Sequence, residues 1–63
     1  MKLKLNAARV NAGLTQTEAA KRLGISKGTL SNYENYTTKP DVEMGRKIAV
    51  LYGVSIDNIA WNG

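Results

Sequence analysis

A polar segment in the middle of the chain, SKGTLSNYEN at 26 to 35, carries the side chains best suited to hydrogen bonding with a ligand. Ser26 can cap a helix, and Leu30 and Tyr33 lie three positions apart, so the segment predicts a short helix with one apolar side. The opposite side is small and polar, and it includes a glycine that costs a helix up to about 1 kcal/mol relative to alanine. The residues of this polar side are Lys27, Gly28, Ser31, Asn32 and Asn35.

The composition argues against catalysis. The chain of 63 residues has no cysteine and no histidine, so disulfides, thiolate metal sites and the commonest general base are all absent from the sequence. Its five carboxylates are scattered, and no nucleophile-base pair or metal cluster can be assembled from them. We therefore expect a protein that is not an enzyme and that uses no metal and no cofactor.

The charge is positive and uneven. The net charge is +4, and residues 1 to 27 contribute six cations against one glutamate, whereas residues 28 to 63 have a net charge of −1. A polyanion such as nucleic acid fits this asymmetry, and so does a merely solubilising surface. The outlying cations are interpreted as solvated charge with some share in long-range attraction; they are Lys2, Lys4, Lys21 and Arg22.

Helical spacing dominates the first half of the chain, and strand patterns are weak. Apolar residues from Leu3 to Ala12 predict a first helix that stops at Gly13. The sequence TQTE at 15 to 18 is a capping box for a second helix, which ends at Gly24.

The second half continues the helical pattern. Ser26 caps a third helix, about 26 to 34, and the polar stretch 35 to 40 before the proline predicts a loop. Asp41 caps a fourth helix running to Tyr52, and Ser55 caps a last helical turn or two. The sequence thus predicts one all-α, compact five-helix domain over residues 1–63. No apolar run approaches the roughly 18 residues that a membrane span needs, so we expect a cytoplasmic protein without a membrane partner.

The spacing across the second and third helices has a physical reason at each position. The small side chain of Ala20 allows two helices to cross closely, and Gly24 supplies the left-handed backbone of a tight turn. Ile25 and Leu30 anchor the turn and the following helix to the core. This pattern predicts a helix-turn-helix whose second helix stands clear of the surface, and such a helix fits the major groove, which is about 12 Å wide.

Three segments resemble the Cro/C1-type helix-turn-helix family, also called the XRE family, of phage repressors and Cro proteins. They are GLTQTEAAKRLGIS at 13 to 26, YENYTTKPD at 33 to 41 and KIAVLYGVSID at 47 to 57. The resemblance covers roughly residues 3 to 61 and implies the lambda repressor-like DNA-binding fold. It also implies a phage or prophage origin and a nucleoid-associated location in a bacterial host cell.

The resemblance implies roles for individual residues. The residues that it places at base edges are Lys27, Gly28, Thr29, Ser31 and Asn32. Those that it places at DNA phosphates are Gln16, Asn35, Arg9, Thr15 and Lys39. Structural roles are implied for Ala20, Gly24, Ile25 and Leu30, and for a salt bridge between Arg9 and Glu34.

The chemistry of the third helix suits base edges. Lys27 can donate to guanine O6 or N7, and Asn32 can pair with adenine N6 and N7. The methyl group of Thr29 can contact a thymine methyl group. Gly28 either lets the helix N-terminus approach DNA closely or is a neutral residue on a solvated side.

The sequence departs from the family pattern at three positions and raises the question of assembly. Tyr36 replaces a usual glycine where the backbone often needs positive φ, so we expect a reshaped loop. Gly45 and Arg46 replace apolar residues, so the fourth helix is expected to be weaker and the core thinner there. Either the protein pairs through its last helix and the segment 54 to 61, or it belongs to a longer repressor. Trp61 is interpreted as a lid on the core, with a partner anchor as the alternative.

These patterns favour a sequence-specific regulator of transcription that binds double-stranded DNA as a homodimer on a near-palindromic operator. No small-molecule effector is evident. The alternative is an antitoxin-like or anti-repressor module that uses the same fold to bind a protein. A protein-binding third helix should show apolar anchors, and this one shows polar residues.

Overall fold

The computed structural model describes residues 2–62, so the first and last positions of the predicted domain, Met1 and Gly63, lie outside the described residues. Within them the chain forms four α-helices, one 3-10 turn and two very short strands. The helices are α1 (Leu5–Asn11), α2 (Gln16–Leu23), α3 (Lys27–Glu34) and α4 (Val42–Tyr52). The 3-10 turn covers Ile56–Asn58, and the strands are β1 (Leu3–Lys4) and β2 (Ile59–Ala60).

The prediction of five helices was wrong, and so was the predicted start of the first helix. The first helix begins at Leu5, because Leu3–Lys4 is extended and pairs in parallel with Ile59–Ala60. The predicted fifth helix is a three-residue 3-10 turn that leads directly into β2. Each strand has two residues, which is too short for an alternating pattern, so only contact between distant parts of the chain creates this ladder.

Local signals do set the ends of the middle helices. The Glu18 N–H donates to Thr15 Oγ1 at 3.1 Å, and the Thr15 N–H donates to Glu18 Oε1 at 3.0 Å, which completes the predicted capping box. The hydrogen bond with the Thr15 backbone lowers the pKa of Glu18 below its ordinary value, and the bond with the Thr15 side chain adds a smaller effect in the same direction. The α4 helix begins after Asp41, which accepts from the Met44 N–H at 2.8 Å, and ends before Gly53.

The core lies where the four helices meet the short ladder. Its largest fully buried side chains come from four different places, namely Leu5, Leu30, Ile48 and Ile59. Burying each such side chain contributes about 1.5–3 kcal/mol. Ala19 and Ala20 are also buried, and the small size of these residues lets α2 pack closely against its neighbours. The core therefore fixes α3 through Leu30, and the short ladder contributes Ile59 to it.

The end of the chain covers the glycine in α4. The α4 helix is continuous through Gly45, which is buried, and a Cβ added there would lie 3.6 Å from Trp61 Cη2. The Trp61 indole N–H donates to the Ile56 carbonyl at 3.0 Å, which holds the ring in place. The space that a larger side chain would occupy at position 45 is therefore used by the indole of Trp61.

One buried hydroxyl stands out in the core. Tyr52 is 5% exposed, and its hydroxyl has no hydrogen-bond partner within residues 2–62. Burial raises the pKa of Tyr52 to about 12, and the negative charge of Glu34 adds to this rise while Arg9 opposes it. The ring therefore stabilises the core, whereas its hydroxyl contributes a desolvation cost.

We expect Tyr52→Phe to leave the free energy of unfolding at pH 7 unchanged or to raise it by about 1 kcal/mol, because the ring remains and an unpaired hydroxyl is removed. Between pH 10 and about 12 the unfolded chain loses the Tyr52 proton and the folded chain keeps it. Wild-type stability should therefore fall across this window by up to about 1.4 kcal/mol per pH unit from this group.

Urea unfolding at pH 7 and pH 11 tests this expectation. Tyr52→Phe should lose less stability at pH 11 than wild type does, and Tyr33→Phe, at a half-buried tyrosine, is the control. An equal alkaline loss in wild type and Tyr52→Phe would contradict the assignment.

Candidate nucleic-acid interface

The turn between α2 and α3 presents α3 on the surface. Gly24 has φ of 73°, in the left-handed region, and the Ile25 N–H donates to the Ala20 carbonyl at 3.0 Å. Ser26 then caps α3, because its Oγ accepts from the Thr29 N–H at 3.0 Å. Leu30, which is fully buried, anchors α3 from below. The turn and the single large anchor leave the other side of α3 facing outward.

The structure brings most of the predicted base-contacting residues together. Lys27, Gly28 and Asn32 are exposed, and Ser31 is half-buried. At 3.6 residues per turn, these positions lie on one side of α3 together with Asn35. The Asn35 side-chain amide donates to Ser31 Oγ at 3.4 Å, which links the last two turns of this side. We call this set the α3 polar side; its members are Lys27, Gly28, Ser31, Asn32 and Asn35.

Thr29 lies at the margin of this surface. It is half-buried, and its Oγ1 lies 2.9 Å from Ser26 Oγ within the helix cap. Its hydroxyl is thus already engaged within the chain. The methyl group remains the part of Thr29 best suited to an outside contact.

Nothing inside the folded chain requires a glycine at position 28. Its φ lies outside the left-handed region, and an added Cβ would meet only Ser26 Oγ, at 3.9 Å, which is ordinary van der Waals contact. Alanine would fit and would favour the helix by up to about 1 kcal/mol. Either the residue is neutral or its small size serves a contact outside the chain.

An ion pair joins α1 to the end of α3. The Arg9 Nε donates to Glu34 Oε2 at 2.7 Å and Nη2 donates to Oε1 at 3.3 Å, and the two side chains are only 13% and 6% exposed. The Arg9 Nη1 also donates to the Leu14 carbonyl at 2.8 Å. All three guanidinium nitrogens therefore have partners in the chain. A phosphate contact from Arg9 would have to use its remaining Nη hydrogens.

Gln16 joins the same network. Its Nε2 donates to Glu34 Oε1 at 2.9 Å, so the start of α2 is tied to the end of α3. One amide hydrogen of Gln16 remains for an outside acceptor. The sequence pattern assigned Gln16 only to a phosphate and missed this bond, because positions 16 and 34 are adjacent only in the folded chain.

The remaining predicted phosphate-contacting residues are Thr15 and Lys39. Thr15 and Lys39 are exposed, before α2 and in the loop after α3. The Thr15 hydroxyl is already used in the capping box. Among the predicted phosphate-contacting residues, Lys39 is therefore the one with an exposed, positively charged side chain.

Tyr36 has an unforeseen role in the loop after α3. Its φ is 59°, and it is the one non-glycine residue of the described chain with positive φ. The Tyr36 hydroxyl donates to the Ala60 carbonyl at 2.9 Å and accepts from the Leu5 N–H at 3.4 Å. The sequence indicated the unusual backbone but gave no sign of this tether. The loop is thereby connected to β2 and to the first turn of α1.

Residues 2–62 contain no group of histidine, cysteine or acidic side chains that could hold a metal ion. Within this same range, each helix falls short of the length and apolar character that crossing a membrane requires.

The fold and the exposed α3 define a helix-turn-helix protein. The family described as Helix-turn-helix matches residues 5–59, and the chain belongs to it. This confirms the resemblance to the Cro/C1-type, or XRE, family.

Several curated proteins are similar to this chain. The HTH-type transcriptional regulator ImmR of Bacillus subtilis (strain 168) is 46% identical over 54 residues, which cover 86% of this chain and 42% of ImmR. The Cryptic phage CTXphi transcriptional repressor RstR of Vibrio cholerae is 40% identical over 53 residues, covering 84% of this chain and 48% of RstR.

A third relative is closer to this chain in length. The Uncharacterized HTH-type transcriptional regulator MJ0272 of Methanocaldococcus jannaschii is 39% identical over 59 residues, covering 94% of this chain and 89% of that protein. The chain thus spans less than half the length of ImmR and RstR but most of MJ0272. No solved structure matches the chain significantly.

We expect Tyr36→Phe to lower the free energy of unfolding by about 1 kcal/mol, because the Ala60 carbonyl loses its donor. The amide of Leu5 should also exchange faster with solvent, since its acceptor is removed. Urea unfolding and amide hydrogen exchange measure the two effects. Thr38→Ala, at an exposed position in the same loop, is the control, and unchanged stability and Leu5 exchange in Tyr36→Phe would refute the tether.

Proposed function

We propose that this protein is a transcriptional regulator that binds double-stranded DNA sequence-specifically with α3 in the major groove. The observation that carries the proposal is the α3 polar side, an exposed hydrogen-bonding surface on a helix held by a tight turn. A groove about 12 Å wide admits one helix, and its base edges present donors and acceptors for such side chains. The names of ImmR and RstR, a transcriptional regulator and a transcriptional repressor, support the same function.

In this proposal Lys27 and Asn32 carry most of the base recognition. Both are exposed, and they can engage guanine and adenine respectively. Ser31 and the methyl group of Thr29 provide lesser contacts beside them. Gly28 brings the first turn of α3 close to the DNA.

The phosphate contacts frame this helix. Gln16 and Thr15 approach the backbone from the start of α2, and Asn35 and Lys39 approach it after α3. Because Gln16 also bonds to Glu34, its amide is oriented before DNA arrives. Arg9 acts mainly by holding Glu34 and adds a phosphate contact through its free hydrogens.

Tight specific binding by a domain of this size requires two copies on the DNA. We propose a homodimer that pairs through the segment 54 to 61, with half-sites about 34 Å apart. Ile56 is 38% exposed in this segment, and Val54 and Trp61 are half-buried beside it. An antitoxin-like or anti-repressor function through α3 is less well supported, because the α3 polar side has no large apolar side chain.

Selection of binding sites from random duplex DNA tests base recognition. Wild type should enrich a two-fold-related motif, and the Lys27→Ala, Asn32→Ala double variant should lose it while retaining weak, salt-sensitive binding. Lys47→Ala with Asn11→Ala removes the same residue types at exposed positions outside α3 and should still enrich the motif. A wild type that enriches no motif would refute the proposal, and a motif without two-fold symmetry would refute the dimer.

Gly28→Ala separates folding from binding. We expect the free energy of unfolding to rise by up to about 1 kcal/mol, because alanine favours the helix and has room. We expect affinity for the selected DNA to fall about tenfold, since the added methyl group would hold the helix away from the bases. Unchanged or higher affinity, measured beside an unchanged fold by circular dichroism, would show that the glycine is neutral.

A further inference from the structure

The outer side of α4 exposes unusually large apolar side chains. Val42 is 70% exposed and Val50 is 81% exposed, and these two valines are the most exposed large hydrophobic residues within residues 2–62. They lie eight positions apart on α4, which is about 12 Å along the helix, or slightly more than two turns. Apolar side chains that cluster on a surface mark contact sites more often than scattered ones do.

A shallow groove runs between α2 and α4 beside these valines. Its apolar lining is made by Leu23, Val42, Val50 and Leu51. Three exposed cations, Arg22, Arg46 and Lys47, line it as well, and Glu43 is the one acidic side chain among the lining residues. Arg46 lies between the two valines along α4. We call this surface the α2–α4 groove. We call its apolar residues the floor and its charged residues, which have a net positive charge, the rim.

We propose that the α2–α4 groove binds an amphipathic acidic helix of a partner protein. An apolar side of such a helix would cover Val42 and Val50, and its flanking carboxylates would meet the basic rim. The two-turn spacing of the valines sets the requirement for the partner, namely apolar residues at i, i+3 or i+4, and i+7.

The charged and apolar residues of the groove favour an acidic amphipathic helix over two other occupants, namely a second copy of this chain and DNA. A second copy related by a two-fold axis would bring the same net positive rim against itself, and like charges across an interface are costly. DNA would match the rim, but its phosphates give nothing to cover an apolar floor. A partner that is both apolar and acidic satisfies the whole groove.

The proposed site is separate from the DNA-binding surface. None of the residues that line the groove belongs to α3 or to the loop at 35 to 39. The inference therefore goes beyond the proposed function: the domain would hold a second protein while α3 is on DNA. The domain would then bind an operator and a controlling protein at the same time.

Selection from a library of displayed helical peptides with random sequences tests the proposal, with the full chain as the immobilised target. The enriched peptides should carry a net negative charge and apolar residues at the stated spacing. Their affinity, measured by fluorescence anisotropy, should fall at least tenfold for Val50→Glu and for the Arg22→Glu, Lys47→Glu double variant.

Matched variants make the outcome decisive. Val10→Glu places the same charge at a valine that is 62% exposed on α1, outside the groove, and should leave peptide affinity unchanged. Lys27→Ala with Asn32→Ala should likewise bind peptide normally, so loss of DNA recognition and loss of this site are distinguishable. Neutral or basic enriched peptides, or full affinity in Val50→Glu, would overturn the proposal.

Sedimentation of the free protein tests the second copy as the occupant. We expect Val50→Glu to leave the oligomeric state of wild type unchanged. A wild-type dimer that Val50→Glu converts to monomer, and that both Val10→Glu and Ile56→Glu leave intact, would show that a second copy fills the groove and would overturn the acidic partner. Ile56→Glu is the control for the segment 54 to 61, which borders Val50.

Discussion

The Glu34 carboxylate is the constraint on which the arrangement of the helices depends. It is almost fully withdrawn from water, and such a charge is stable only when it is paired and hydrogen-bonded. Arg9 supplies the opposite charge from α1, and Gln16 supplies a further donor from the start of α2. Because these partners come from two helices and the carboxylate from a third, satisfying one buried charge fixes the relative placement of α1, α2 and α3. The exposed side of α3 is positioned by contacts made entirely on its other side.

The α3 helix is held in place by a small number of inward contacts. The α3 helix has eight residues, and its inward contacts are limited to a capping serine, one buried leucine, a half-buried tyrosine and the paired glutamate. Gly28 in particular is not required by the fold, because an added Cβ would have room there.

Sequence patterns predicted the features that depend on near neighbours. The capping box at Thr15, the caps at Ser26 and Asp41, and the left-handed turn at Gly24 each involve residues a few positions apart. Features made by residues distant in the sequence were not predicted. They are the β1–β2 ladder, the bond from Gln16 to Glu34, and the bond from Tyr36 to Ala60. Tyr36 is instructive, because the sequence indicated an unfavourable backbone there and predicted a reshaped loop. The distant partners of its hydroxyl were invisible without the fold.

The parallel pairing of β1 with β2 places the two ends of the described chain side by side. Parallel strands run in the same direction, so a polypeptide joined before β1 and one joined after β2 would depart from opposite ends of the ladder. Tension between such segments would shear the ladder along its length and load its hydrogen bonds together. The Tyr36 hydroxyl is attached to the second strand at Ala60, so part of that load would pass to the loop after α3. A mechanical pull along the ladder would therefore reach the loop that follows α3.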